Sequence, residues 1–191
     1  LLNESALLAA RRDLHAVTMQ EVEEATLKII VGTEKRSHVI SERDKRITAY
    51  HEAGHAIVSY CCSTQDPVHQ ISIIPRGMAA GFTMNLPEND HAHMTKNRMT
   101  ESIEVLLGGR VAEELVIGDV STGASNDIDR ASKLARDMVA RYGMCEKLGT
   151  VSYLGGDEVF IGRDYQTTKG YSEKVAGTID DEVKILVDKA Y

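Results

Sequence analysis

Cysteine, positive charge and long apolar runs are scarce in this sequence, and each shortage excludes a class of protein. The three cysteines, two of them adjacent, do not make a disulfide framework, which favours a reducing compartment. Lys and Arg number 22 against 29 Asp and Glu, so the formal net charge is −7 and we expect no nucleic-acid partner. No apolar run approaches the roughly 20 residues that cross a bilayer, and the chain opens with no signal peptide.

The chain also lacks an initiator methionine and begins inside an Ala/Leu-rich pattern. We therefore expect it to be part of a longer protein, so the lack of a membrane span here says little about the whole. Its 191 residues, 42% hydrophobic and 27% charged, are typical of a soluble globular domain of ordinary size with an appendage.

Residues 51–55, with the sequence His-Glu-Ala-Gly-His, form the strongest functional motif. They fall within an apolar segment that is predicted to be a buried helix, in which His51 and His55 share one face, one turn apart. Two imidazoles so arranged can hold one divalent cation, most often zinc, and Glu52 beside them is placed to act as the general base of a metalloprotease. Gly54 costs a helix about 1 kcal/mol relative to alanine, which indicates a close approach by another part of the chain.

Hydrophobic periodicity predicts a mainly α fold with one small β-sheet or hairpin. The predicted helices cover 1–14, 18–30, 41–60, a long segment after Thr95, a segment from about Asp127 to Gly143, and 168–191; the predicted strands cover 68–74 and 81–86. Ser41 and Thr95 are predicted N-caps. Gly108-Gly109 inside the long helix indicates either tight helix packing or a break.

The pattern divides the chain into three parts. Residues 1–32 hold two short helices that cannot bury a core alone, and they look like the end of a preceding helical domain. Residues 33–40 form a charged linker, and residues 41–191 form the domain that carries the metal motif.

A catalytic zinc site needs a third protein ligand and one open position. One zincin class takes a histidine six residues after the second, with a glycine midway, but Cys61 and Val58 occupy those positions here. An acidic residue of a later helix is the remaining source. The candidates are Glu101, Glu104, Glu113, Glu114 and Asp127. The pattern alone does not choose between Glu113 and Asp127, and plain capping of the following helix is the alternative interpretation of Asp127.

Two further groups of metal-binding residue types have simpler interpretations. His91 and His93 could bind a metal as an alternating pair, but a solvated loop is favoured because no third ligand lies near. Cys61 and Cys62 could be reactive thiols, but small buried apolar residues are the better interpretation.

Several motifs together resemble the protease domain of the FtsH family, the membrane-anchored AAA+ zinc proteases of bacteria, mitochondria and chloroplasts. The matching segments are 51–55, 66–69, 73–77, 108–114, 121–128 and 146–149, and residues 1–12 resemble the end of the family's ATPase lid. They extend over nearly the whole chain, and the metal motif shows no departure from the family's pattern.

The resemblance implies an Asp-zincin peptidase domain that holds one zinc ion with His51, His55 and Asp127. It also implies that Glu52 is the catalytic base and that Glu113 orients a ligand histidine through its second nitrogen. The family works as an ATP-dependent homo-hexamer that degrades membrane and unfolded soluble proteins for quality control. The resemblance thus places the whole protein in a membrane, most simply the bacterial inner membrane, with this domain facing the cytoplasm.

The membrane spans and the phosphate-binding loop of the ATPase do not occur in this sequence, so we expect the chain neither to bind nor to hydrolyse ATP. Two other functions stay open. A closed four-ligand site would make the metal a staple of a ring-forming module, and a degenerate domain would hold unfolded segments without cutting them. The intact Glu52 argues against the second of these.

Overall fold

The computed structural model describes residues 1–35, 40–77, 79–87, 89–90, 92–153 and 170–191. Within these ranges the fold is mainly helical with one two-stranded sheet, which confirms the predicted fold class. The helices are α1 (Leu2–Arg11), α2 (Met19–Ile30), α3 (Glu42–Cys61), α4 (Lys96–Ile117), α5 (Ser125–Arg136) and α6 (Glu173–Ala190), and the strands are β1 (Val68–Ser72) and β2 (Phe82–Asn85).

Helices α1 and α2 pack against each other at the start of the chain, and Leu8, Ala9 and Ala25 are buried there. Glu21 begins α2 by accepting a hydrogen bond from the backbone N–H of Thr18 at 3.1 Å. The segment that follows α2 is tied to the rest of the chain by backbone hydrogen bonds between residues 33–35 and residues 75–77.

Helices α3 and α4 cross closely and form the framework of the molecule. The predicted N-caps are confirmed: the hydroxyls of Ser41 and Thr95 accept backbone N–H bonds at 3.1 Å and 3.2 Å. Gly54 of α3 lies against Gly108 of α4, and a Cβ atom on Gly54 would come within 2.7 Å of the Ala112 Cβ. The glycine pair in α4 therefore serves tight packing rather than a break.

Strands β1 and β2 form an antiparallel hairpin beside α3, as predicted, although both strands are shorter than expected. Ser72 pairs with Phe82, and the register shifts between Val68 and Gln70. The sheet has only these two strands among the described residues, so β2 is paired with β1 along one side of the strand. Its residues line the cavity described below.

The main hydrophobic core lies between α4, α5, the turn after α5 and α6. Its fully buried members include Ile103, Ala131, Ala135, Val139 and Ile179. Helix α5 widens into a π-helical turn at Asp137–Arg141, in which Tyr142 N–H bonds to the Asp137 carbonyl at 2.9 Å. The helical segment thus ends at Arg141, two residues before the predicted end near Gly143, and changes its winding in the last turn.

Two sequence predictions about local structure are wrong. The last helix begins at Glu173 rather than near residue 168, because Ser172 is its N-cap and residues 170–172 are not helical. Cys61 is exposed instead of buried, because it is the last residue of α3 and faces away from the core. The apolar residues in the segment 154–160 lie outside the described residues.

None of the helices in the described ranges combines the length and the hydrophobicity that a membrane-spanning helix requires.

Candidate metal centre

Three potential metal-binding side chains converge at the crossing of α3 and α4: His51, His55 and Asp127. The Nε2 atoms of the two histidines lie 3.0 Å apart. The Asp127 Oδ2 atom lies 3.4 Å from the His51 Nε2 atom and 3.6 Å from the His55 Nε2 atom. The structure thus brings together the two histidines of the helix motif and one of the two leading candidates for a third ligand.

The four-residue spacing on α3 explains why the two imidazoles meet. Their ring centroids are 4.6 Å apart and their planes are nearly perpendicular, so that both Nε2 atoms point to one spot. Gly109 of α4 provides the room for this arrangement. A Cβ atom at that position would lie 2.6 Å from both the His51 Cε1 atom and the His55 Nε2 atom.

Hydrogen bonds to the second ring nitrogens fix the protonation of both histidines. His51 Nδ1 lies 2.7 Å from Glu113 Oε1, and His55 Nδ1 lies 2.7 Å from the carbonyl oxygen of Val105. Since a carbonyl can only accept, the His55 Nδ1 atom carries a proton, and the same holds for His51 against the carboxylate. Each neutral ring then presents an unprotonated Nε2 to the shared spot. The backbone N–H of Ser121 holds the other Glu113 oxygen at 2.7 Å.

The three candidate ligand atoms fit a zinc ion. Two imidazole nitrogens and one carboxylate oxygen are all acceptors, and three acceptors that face one another without a donor need a cation between them. Zn–N and Zn–O bonds of about 2.0–2.2 Å in a tetrahedron hold neighbouring ligand atoms roughly 3.3 Å apart. The observed separations of 3.0–3.6 Å bracket that value. Within the described residues no fourth His, Cys, Asp or Glu joins the three.

The Asp127 carboxylate reaches the cluster from the first turn of α5. Burial alone would raise the pKa of Asp127. A proton that occupies an Nε2 atom of His51 or His55 in place of a cation is donated to the carboxylate, and this attraction outweighs burial and lowers the pKa well below its usual value. Burial alone would lower the pKa of His51, but Asp127 and Glu113 outweigh it and raise the pKa above its usual value. Both directions express the same attraction of this site for positive charge.

Glu52 lies at the edge of the same cluster and is 7% exposed. Burial raises the pKa of its carboxyl above the usual value, and a hydrogen bond from the Thr83 hydroxyl at 2.8 Å partly offsets this effect. A cavity of about 650 Å³ is lined by Glu52, the two histidines, Asp127 and residues 81–83. The cavity is large enough to admit a peptide segment.

The other acidic candidates lie elsewhere. Glu101 accepts hydrogen bonds from Ser63 and Thr64 after α3, Glu104 lies near the Cys62 thiol, and Glu114 is exposed and pairs with the Tyr191 hydroxyl.

The remaining candidate groups do not form a second metal site in the described part of the chain. His93 is exposed, and His91 lies outside the described residues. Burial, followed by the charge of Glu101, raises the pKa of the Cys62 thiol to about 11, which makes this thiol a poor nucleophile.

Sequence reasoning missed three contributors to the site. Gly109 was visible only as part of a glycine pair, and the role of Thr83 required the hairpin to fold back over α3. The Val105 carbonyl is a backbone group, so no residue type could have indicated it.

A mainly helical domain whose helix presents two histidines and a glutamate, with a carboxylate supplied by a later helix, defines a zincin-like metallopeptidase. The profile of peptidase family M41 matches residues 38–191. The chain belongs to this family.

Comparison with curated proteins agrees with this membership and confirms the resemblance to FtsH proteases. The whole chain is 54% identical to ATP-dependent zinc metalloprotease FtsH 1 of Thermoanaerobacter sp. and 55% identical to ATP-dependent zinc metalloprotease FtsH 2 of Alkaliphilus metalliredigens. It is 54% identical to ATP-dependent zinc metalloprotease FtsH of Caldicellulosiruptor bescii. The chain spans 31%, 28% and 31% of the lengths of these relatives.

Proposed function

We propose that this chain is the zinc-dependent endopeptidase part of an ATP-dependent protease, in which His51, His55 and Asp127 hold the zinc ion. The observation that carries the proposal is the convergence of their three acceptor atoms within 3.6 Å of one another beside an open cavity. A zinc ion held there supplies Lewis-acid chemistry, which lowers the pKa of water and polarises a peptide carbonyl.

The chain's own residues then perform the proton transfers and the positioning. Glu52 takes a proton from the attacking water and later delivers it to the leaving amine. Glu113 and the Val105 carbonyl hold the two imidazole rings by their Nδ1–H groups, so that the Nε2 atoms stay unprotonated and aimed at the cluster. The buried position of Glu113, 1% exposed, protects this hydrogen bond from competition by water.

The substrate of this proposal is an extended peptide. The cavity beside the histidines is also lined by residues of the hairpin, Gly81, Phe82, Thr83 and Asn85. A strand that pairs along one edge can accept an extended segment along the other, which brings a peptide bond past the cluster without any demand on its sequence. This mode suits a protease that takes unfolded chains.

The relatives' names and the shared family support a wider proposal for the whole protein. Residues 1–32 belong to the end of an ATPase lid, residues 33–40 are the linker, and residues 41–191 form the peptidase domain. The whole protein works as a membrane-anchored homo-hexamer, with this domain on the cytoplasmic side of a bacterial inner membrane. It degrades membrane proteins and unfolded soluble proteins, and its ATPase part supplies the unfolding.

The proposal is tested by cleavage of an unstructured fluorogenic peptide by the zinc-loaded chain and by its Glu52→Gln variant. We expect the variant to bind one zinc ion per chain but to lose cleavage by several orders of magnitude, because it keeps the site's shape and loses the base. Glu146→Gln, which alters an exposed carboxylate, is the control and should cleave like the wild type. Cleavage by Glu52→Gln at the wild-type rate would contradict the proposed role of Glu52 as the general base.

A further inference from the structure

Glu52 is hydrogen-bonded by a side chain of the neighbouring hairpin, Thr83 on β2. We infer that Thr83 is a positioning residue for the catalytic carboxylate: its hydroxyl anchors one oxygen of Glu52 so that the other oxygen faces the attacking water. The inference rests on the proposed function, because it assigns a role in the same proton transfer.

The hydrogen-bond geometry selects one oxygen of the carboxylate. Thr83 Oγ1 lies 2.8 Å from Glu52 Oε2 and 3.0 Å from the Glu52 backbone carbonyl oxygen. A hydroxyl carries one proton, and the carboxylate oxygen is both the nearer and the charged acceptor, so it receives the bond while Glu52 is ionised. The Glu52 backbone carbonyl oxygen is the alternative acceptor for the same proton.

The other oxygen, Oε1, is left available. No hydrogen bond from the described residues reaches Glu52 Oε1, although the side chain is largely buried. Gly81 keeps the space beside it clear, since a Cβ atom there would lie 2.9 Å from Oε1 and 2.8 Å from the Ser72 carbonyl oxygen. The Thr83 side chain thus anchors Oε2, and Gly81, just before β2, has no side chain that would cover Oε1.

Anchoring matters because a glutamate has three rotatable side-chain bonds, and proton transfer requires the accepting oxygen within hydrogen-bond reach of the water. A displacement of about 1 Å at a reacting group can cost on the order of 100-fold in rate. Without the Thr83 hydroxyl, Glu52 can rotate away from the cluster or present the wrong oxygen. Zinc binding does not depend on this hydrogen bond, because neither Thr83 nor Glu52 belongs to the cluster of three.

The test compares two pairs of variants in the zinc-loaded chain, Thr83 with Thr83→Val and Thr83→Ser with Thr83→Ala. Within each pair the shapes are close and only the hydroxyl differs. The readouts are kcat and KM for an unstructured fluorogenic peptide, zinc affinity by competition with a chromophoric chelator, and the thermal midpoint. Thr178→Val is the matched control, since the Thr178 hydroxyl donates to the Lys174 carbonyl at an exposed position of the last helix, away from the cluster.

We expect the member of each pair without the hydroxyl to lose about 10- to 100-fold in kcat, with KM and zinc affinity within about twofold of its partner. A purely structural hydroxyl would instead lower the thermal midpoint or zinc affinity and leave kcat of the folded, loaded protein intact. Equal kcat within either folded pair overturns the inference. If Thr83→Val does not fold, the Ser and Ala pair decides alone.

The proposed function fails in a different way. Its failure appears as the absence of cleavage by the wild-type chain, or as cleavage that Glu52→Gln does not reduce. The inference about Thr83 fails only when wild-type cleavage depends on Glu52 and the Thr83 hydroxyl makes no difference to kcat.

Discussion

At the scale of single residues, the site consists of hydrogen-bond acceptor atoms that face one another without a donor between them. The Nδ1–H group of His51 donates to Glu113, and that of His55 donates to the Val105 carbonyl. The Asp127 carboxylate places a further acceptor beside the two Nε2 atoms. Such a group attracts a cation and is unstable without one. The preference for a metal therefore follows from hydrogen bonds that lie outside the cluster itself.

The different roles of Asp127 and Glu113 can be separated by conservative substitution. We expect Asp127→Asn to weaken zinc binding more than Glu113→Gln does, because the first removes a charged ligand and the second removes only the partner that orients His51. Loss of an orienting partner typically costs about 10- to 100-fold in metal affinity. Chelator competition measures both constants, with Asp129→Asn as the exposed control on the same helix. The reverse order would identify Glu113 as the ligand.

Gly109 is as necessary to the proposed site as a ligand. Gly109→Ala places a methyl group about where His51 and His55 now lie, so we expect at least a tenfold loss of zinc affinity with the helix itself retained. Gly177→Ala in α6 is the matched control, because an added methyl there meets nothing within 4 Å. Unchanged zinc affinity in Gly109→Ala would show that α4 does not constrain the two rings.

The residues of the site differ in how far sequence could predict them. His51, Glu52 and His55 lie on one helix, where spacing alone fixes their relation. Glu113 lies 62 positions from His51, so the pairing of these two residues could be proposed only through the family resemblance. The Val105 carbonyl and the Ser121 N–H could not be predicted at all, because every residue type offers the same backbone groups.

At the scale of elements, helix starts were predictable where a hydroxyl residue caps them, as at Ser41 and Thr95. The winding of the segment after Arg136 was not predictable, because a π-helical turn is decided by the packing around it rather than by local preference. The predicted strands were also longer than the observed ones, since apolar residues continue past the last paired position. The crossing of α3 and α4 was indicated by Gly54 and the glycine pair, but its geometry was not.

Glu101 fixes the chain where α3 ends. Its carboxylate accepts hydrogen bonds from the backbone N–H groups and hydroxyls of Ser63 and Thr64. Burial alone would raise the pKa of Glu101, but these hydrogen bonds outweigh burial and lower it to about 2. A lowered pKa in the folded state means that the carboxylate stabilises the fold above its unfolded pKa of about 4.5, and that this contribution is lost as the pH falls toward about 2.

We therefore expect the free energy of unfolding of Glu101→Gln to lie below that of the wild type at pH 7, with a difference that shrinks between about pH 4.5 and pH 2. Urea titrations of the metal-free chain across that range measure it. Glu146→Gln, at an exposed position, should show no such convergence. A gap that widens on acidification would contradict the assignment of Glu101 as an ionised anchor.

At the scale of the whole molecule, backbone hydrogen bonds connect the segment after α2 to the loop of the hairpin. Residues 33–35 bond to residues 75–77, and the same hairpin loop continues into Gly81 and Thr83 beside Glu52. The family profile begins at residue 38, after this connection. Residues 33–35 thus contact the loop of the hairpin whose second strand borders the cavity.

The most direct test of the account is diffraction at the zinc absorption edge from crystals of the zinc-loaded chain. We predict one anomalous peak, bonded to the Nε2 atoms of His51 and His55 and to a carboxylate oxygen of Asp127 at about 2.0–2.2 Å. A zinc ion whose third protein ligand is another residue, with the Asp127 carboxylate beyond bonding distance, would contradict it.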